Sequence, residues 1–363
     1  MGRTREMLVR IAVALGASAL LAVVLVRQHG FEVRRSPFLT TGNPRTGAHL
    51  FHAKGCTGCH SVAAMTKAPL GLSQLVAALW NHAPNMSDRL AARGMSYPRL
   101  TTEEIAHIFA FLYFSQFEGE PGDAAAGRRL FMIKGCSQCH SSGLKNSKTA
   151  MAWIEAMWNH APQVDSVRFD GREMEDLLAF LGGGEADPST ELLAANPERG
   201  WELFRTKGCI ACHSINGEGG STGPELGPGR ALPLTAAQFA GAMWNHMAAM
   251  SRPPATRAVF RNNEMADIIS FLSGLRYVEP RGSPYMGKTV FTDRGCAGCH
   301  GQDAGKLRQR GTPFTAITLA AAFWQHGTRM YRQAAREGRP WPALSDADIG
   351  QLVAYLNGPP SQK

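Results

Sequence analysis

Lys54-Gly55-Cys56-Thr57-Gly58-Cys59-His60 is the stretch on which the reading of this chain turns, and it recurs three times. The copies are Lys134-Gly135-Cys136-Ser137-Gln138-Cys139-His140, Lys207-Gly208-Cys209-Ile210-Ala211-Cys212-His213 and Arg294-Gly295-Cys296-Ala297-Gly298-Cys299-His300. Together they consume all eight cysteines of the chain. No thiol remains for a disulfide, for completing a zinc site, or as a free nucleophile. One such stretch alone would be compatible with half a zinc site or a thioredoxin-like redox pair. Four that use every cysteine argue against both.

Cys-x-x-Cys-His is the attachment signature of c-type haem. Two thiols bond the porphyrin vinyl groups, and the adjacent histidine ligates the iron. One helical turn with two residues between the thiols suits the separation of the vinyls, and the next residue projects its imidazole under the ring. The expectation is four covalently bound haem c groups. The first two are held by Cys56, Cys59, Cys136 and Cys139, with His60 and His140 as iron ligands. The others are held by Cys209, Cys212, Cys296 and Cys299, with His213 and His300.

Length predicts two or three domains, but spacings of 80, 73 and 87 residues between the first cysteines point to four small ones. Modules of that size bury little core by themselves. A covalently held porphyrin would supply the missing apolar centre. The net charge of +9 does not argue for nucleic acid. Residues 1–35 hold six arginines against Glu6 and Glu32, haem propionates offset much of the remainder, and no nucleic-acid motif appears.

Leu8 to Val26 is apolar apart from Arg10 and follows Arg3 and Arg5. Its uncharged part, Ile11–Val26, is slightly short for a full span, yet no small-x-small cleavage site follows it. Residues 1–35 are therefore expected to form an uncleaved single-pass membrane anchor and linker. Arginines on the short side place the N-terminus in the cytoplasm and the haem region on the periplasmic face of a bacterial cytoplasmic membrane.

From there the chain repeats one unit four times, over residues 44–118, 122–184, 195–277 and 283–358. Each opens with a short amphipathic helix whose phenylalanine (Phe51, Phe131, Phe204, Phe291) stands five residues before the first cysteine and reads as core. A middle helix follows, expected over Leu70–Trp80, Thr149–Trp158, Leu234–Trp244 and Phe314–Trp324, each ending in Trp-x-His. Thr149, Thr235 and Thr315 are the expected N-caps. The tryptophans read as packing, with the indole N–H available to a haem propionate. A closing helix is expected over Thr102–Phe114, Gly171–Leu181, Asn262–Leu272 and Ser345–Leu356. Its acidic first turns (Glu103, Glu173, Glu264, Asp346) suit the helix dipole. No alternating strand pattern occurs. The expected architecture is all-α: beads in series after an N-terminal transmembrane helix.

This order resembles the class I c-type cytochrome module, repeated in tandem over residues 44–358. Gly223-Pro224-Glu225-Leu226 is similar to the Gly-Pro-x-Leu segment that follows the haem motif in many members. The resemblance implies three-helix haem modules and a methionine as sixth iron ligand ahead of the closing helix. Met86, Met250 and Met330 each fall six residues after the helix tryptophan and match that position. Met95 is a rival in unit one, and His82, His246 and His326 are rivals in their units. Unit two has Val164 at the methionine position, which leaves His160 as the nearest ligand and a vacant site as the alternative.

The expected function is electron transfer by a membrane-anchored tetrahaem cytochrome that is not an enzyme. Its redox partner proteins would be a quinol-oxidising complex or other donor and a terminal oxidase, reaction centre or soluble cytochrome. Membrane lipid would meet the N-terminal helix, and nucleic acid is not a partner. Two alternatives stay open: a haem enzyme with an open site at haem two, and a haem-bearing subunit of a larger membrane redox complex.

Overall fold

The computed structural model describes residues 42–66, 70–117, 121–141, 144, 149–160, 167–170, 172–182, 192–227, 235–250, 258–308 and 312–358. All belong to the unit from Phe38 to Lys363. The expected anchor lies outside the described residues, among which no helix is long and apolar enough to cross a membrane.

The opening helices run Pro44–Ala53, Ala124–Ile133, Pro197–Thr206 and Pro284–Asp293. Asn43, Asp123 and Asn196 start the first three by accepting first-turn N–H groups, and Pro44, Pro197 and Pro284 occupy a first helical position that needs no donor. All four stop at a glycine with φ between 77° and 83°: Gly55, Gly135, Gly208 and Gly295. A side chain there would be strained, so the glycine turns the chain from the helix directly into the cysteine motif.

Each opening helix crosses its closing helix at one glycine. The closing helices are Thr102–Ser115, Glu173–Leu181, Glu264–Gly274 and Asp346–Asn357. A Cβ on Gly47, Gly127, Gly200 or Gly287 would sit 1.9, 1.9, 2.0 or 2.0 Å from a carbonyl oxygen of that partner helix. One turn earlier, the N–H groups of Asn43, Asp123, Asn196 and Ser283 donate to His107, Asp176, Asp267 and Gln351 at 2.7–2.8 Å. One turn later, Phe51, Phe131, Phe204 and Phe291 meet Phe111, Phe180, Phe271 and Tyr355 with ring centres 5.3–5.7 Å apart. The expected core phenylalanines thus lock against the recurring aromatic of the closing helix.

The base before each motif glycine completes the crossing. Lys54, Lys134, Lys207 and Arg294 pair with Glu104, Glu173, Glu264 and Asp348 at 2.7, 2.9, 2.8 and 2.9 Å. In unit one the hydrogen bond from Lys54, followed by the Thr101 N–H, holds the Glu104 carboxyl below the usual carboxylate range. In units two and three the expected first-turn acids, Glu173 and Glu264, thus tie the cysteine motif to the closing helix, whereas in units one and four it is Glu104 and Asp348, not the expected Glu103 and Asp346, that do so.

The middle helices differ from expectation in length. Those of units one, three and four do not stop at Trp-x-His but run Leu72–Ala92, Ala236–Met250 and Ala316–Arg336. Unit two's runs Ala150–His160. In unit one the helix passes through Pro84. Proline cannot donate to the carbonyl four residues back, which is that of Trp80. Trp341 fills the gap, its indole N–H donating to the Trp80 oxygen at 3.3 Å. Thr315 accepts from Thr318 N–H as an N-cap, and Thr149 and Thr235 accept from Ala152 and Gln238 N–H in the same way.

The units do not sit as beads in series. Unit one packs on unit four, and unit two on unit three. Trp80 Nε1 donates to Pro342 O at 2.7 Å, and Trp324 Nε1 returns the bond to Pro98 O at 2.8 Å. Trp158 Nε1 donates to Ala258 O at 2.8 Å, and Trp244 Nε1 to Val167 O at 2.9 Å. The next residue repeats the exchange. The amide of Asn81 both donates to and accepts from the Leu344 backbone, Asn159 does so with Phe260, and Asn245 with Phe169, all at 2.7–3.0 Å. Gln325 donates to Leu100 O at 3.3 Å. The indole N–H groups are thus spent on backbone carbonyls of a neighbouring unit, not left for propionates. The reason is that a buried N–H without an acceptor is costly, and the segment before each closing helix has carbonyls with no helical partner. Tyr113, whose hydroxyl donates to Ser273 O at 2.7 Å and whose ring lies 4.7 Å from that of Tyr277, joins the closing helices of units one and three.

A two-residue antiparallel ladder, Ser214–Ile215 with Glu218–Gly219, also departs from the strand-free expectation. Asn216 and Gly217, at φ 53° and 81°, form its turn.

Candidate haem sites

Each Cys-x-x-Cys-His segment folds as one tight turn, 3₁₀ at Cys56–Gly58 and Cys209–Ala211 and α-helical at Cys136–Cys139 and Ala297–His300. In every copy the histidine N–H donates to the carbonyl of the first cysteine, at 2.9, 3.0, 2.9 and 2.9 Å. This bond places both sulfurs and the imidazole on one turn, as the motif predicts. The first cysteine of each pair is half-buried and the second exposed, and all eight are free thiols. Burial pushes the thiols of Cys209 and Cys296 up to about 11 and raises those of Cys56 and Cys136. Four unpaired dithiols, each with a histidine on the same turn, fit covalent attachment of haem c.

Unit three shows how its histidine is held. Nδ1 of His213 lies 2.9 Å from Pro224 O. A carbonyl can only accept, so Nδ1 carries the proton and Nε2 keeps its lone pair for a metal. Pro224 is delivered there by the hairpin. Glu225 accepts from Ser214 Oγ and from the N–H groups of Asn216, Gly217 and Gly227, and Gly223 N–H donates to Cys212 O. A Cβ on Gly223 would come within 2.7 Å of the His213 ring, so only glycine permits this approach. Ser214 heads the bonds that, together with those N–H groups, hold the Glu225 carboxyl below its usual range.

Of the candidate sixth ligands, two histidines meet an attachment histidine. The rings of His60 and His82 have centres 5.6 Å apart at 70°, and those of His140 and His160 are 5.8 Å apart at 59°. Met86 lies half-buried one turn beyond His82, and Met330 is half-buried against the core. Met250 is 38% exposed at the last position of its helix, and the rival Met95 is 52% exposed. His246 is exposed, and His326 Nδ1 accepts from Arg329 at 3.0 Å. In unit two Met151 is buried in the core, Met157 lines a small gap with Ala240 and Trp244, and Val164 lies outside the described residues.

The cytochrome c family model matches residues 197–276 and 286–358, together less than half of the chain. With the Cys-x-x-Cys-His pairs, this supports a c-type cytochrome. No curated protein and no solved structure matches the chain. The cytochrome c domains imply covalently bound haem c and a general role in electron transfer, and the family is generally one of carriers rather than enzymes.

Several residues of this chain carry roles the motif reading passed over. The residue between tryptophan and histidine is asparagine three times and glutamine once, a polar constancy that signalled an amide needing two partners. The crossing glycines stand four residues before each phenylalanine and were visible as a repeat. Their necessity was not, because it depends on how closely two helices approach.

Proposed function

We propose that all four units are cytochrome c modules, each with one haem c, and that the chain is a tetrahaem electron carrier. The observation that carries this reading is the bond from the histidine N–H to the first cysteine's carbonyl, which recurs in all four motif turns, including the two outside the matched segments. Haem c supplies reversible one-electron chemistry when bound. The cysteines would fix it, and His60, His140, His213 and His300 would ligate its iron. Met86 or His82 in unit one, His160 in unit two, Met250 in unit three and Met330 in unit four would supply the second ligand, which would leave no coordination position for a substrate. Histidine–methionine sites lie higher in potential than histidine pairs, which suits a link between a quinol-oxidising complex and a terminal oxidase, reaction centre or soluble cytochrome. Residues 8–26, apolar and flanked by arginine, support anchoring at the periplasmic face of the cytoplasmic membrane.

The test is exogenous ligand binding. The reduced full-length protein is expected to leave its haem spectrum unchanged under carbon monoxide and to be reoxidised fully by a one-electron acceptor. Stoichiometric CO binding at one haem would replace the carrier reading with that of a haem enzyme.

A further inference from the structure

We infer that His82, rather than Met86, is the second iron ligand of the first haem site, so that sites one and two both carry histidine pairs. This rests on unit one holding a haem c, as proposed above. Imidazole nitrogens bind first-row metals at about 2 Å, which puts the centres of two rings on opposite sides of one ion about 6 Å apart. His60 and His82 stand 5.6 Å apart, and His140 and His160 5.8 Å. The two sites share one geometry.

His82 and Met86 lie on the same face of the Leu72–Ala92 helix, four residues apart, so Met86 starts about 6 Å further along the axis. The choice between them is a choice of helix register, and the register is pinned at the two residues before His82. Trp80 Nε1 is bound to Pro342 O at 2.7 Å, and Asn81 is bound twice to Leu344. Pro84 adds a third restraint, since its missing N–H leaves the Trp80 carbonyl to Trp341. Moving Met86 to the place of His82 would break all of these bonds. Unit two repeats the arrangement: Trp158 and Asn159 are bound to Ala258 and Phe260, and His160 follows at once. The bonds between neighbouring units therefore position the ligand histidines. Unit three has the same preceding bonds and unit four the tryptophan bond with a single bond from Gln325, but no comparable ring contact joins His213 to His246 or His300 to His326 among the described residues. His326 is instead engaged by Arg329, and these sites keep their methionines.

The test uses the intact holoprotein and near-infrared magnetic circular dichroism of the ferric state, which separates histidine pairs from histidine–methionine ligation. The wild type is expected to show two haems of each kind. Met86→Leu should leave that spectrum unchanged. His82→Ala should remove one histidine-pair component, open one reduced haem to CO, and regain the pair signal with added imidazole. His82→Met should convert one pair into a third histidine–methionine haem without loss of haem. A methionine component lost in Met86→Leu, or a His82→Ala spectrum identical to wild type, would overturn the assignment. Mass analysis of the peptide containing Cys56–His60 separates the two readings. A peptide without haem would remove unit one from the proposed function and this ligand with it, whereas a haem-bearing peptide with a methionine signature would remove only the ligand.

Discussion

Replacing Trp80 with alanine is expected to lower the stability of the described unit by about 3–5 kcal/mol, the range for truncating a buried tryptophan. Trp80 is 5% exposed and stacks on Trp341 with ring centres 4.0 Å apart, with Phe323 at 4.4 Å. The alanine would leave a cavity between units one and four and strip Pro342 O of its donor. Trp80→Phe keeps most of the ring and loses only the donor, so its cost should fall to about 1–3 kcal/mol. Denaturant unfolding of the holoprotein followed by tryptophan emission and by the Soret band measures both. Equal costs for the two variants would show that the contact between units one and four is not built as described.

Gly200→Ala is expected to cost about 3 kcal/mol, the upper part of the range for overpacking a core. The added Cβ would stand 2.0 Å from Asp267 O and 2.6 Å from Phe271 Cβ. Backbone cannot yield as a flexible side chain does, so the helices Pro197–Thr206 and Glu264–Gly274 must part. Parting them also strains two bonds to Asp267, from Asn196 N–H at 2.7 Å and from Arg199 at 3.0 Å. Glu202→Ala, at an exposed position of the same helix, should shift the unfolding midpoint little. A midpoint for Gly200→Ala within error of wild type would contradict the close crossing.

The parts of this structure legible in the sequence were those set by short-range chemistry. Cys-x-x-Cys-His, its preceding glycine and the phenylalanine five residues earlier each occupy one turn or two, and the helices around them follow from caps and apolar spacing. What the sequence left unread depends on distant partners. The continuation of the first middle helix through Pro84 required a donor, Trp341, that lies 261 residues from the carbonyl it satisfies. The pairing of unit one with four, and of two with three, is carried by Trp80, Asn81, Trp158 and Asn159 and by the carbonyls they meet. Nothing local announces those carbonyls. The same long-range bonds hold His82 against His60, with ring centres 5.6 Å apart, a contact that the repeat register of the methionines does not reveal.

The proposal of four equivalent modules comes down to the number of haems. Pyridine haemochrome absorbance per mole of chain, with the mass of each motif peptide, measures it directly. Four haems are expected, on the peptides containing Cys56–His60, Cys136–His140, Cys209–His213 and Cys296–His300, and replacing Cys136 and Cys139 with serine should leave three. Two haems, confined to the peptides within residues 197–358, would contradict it.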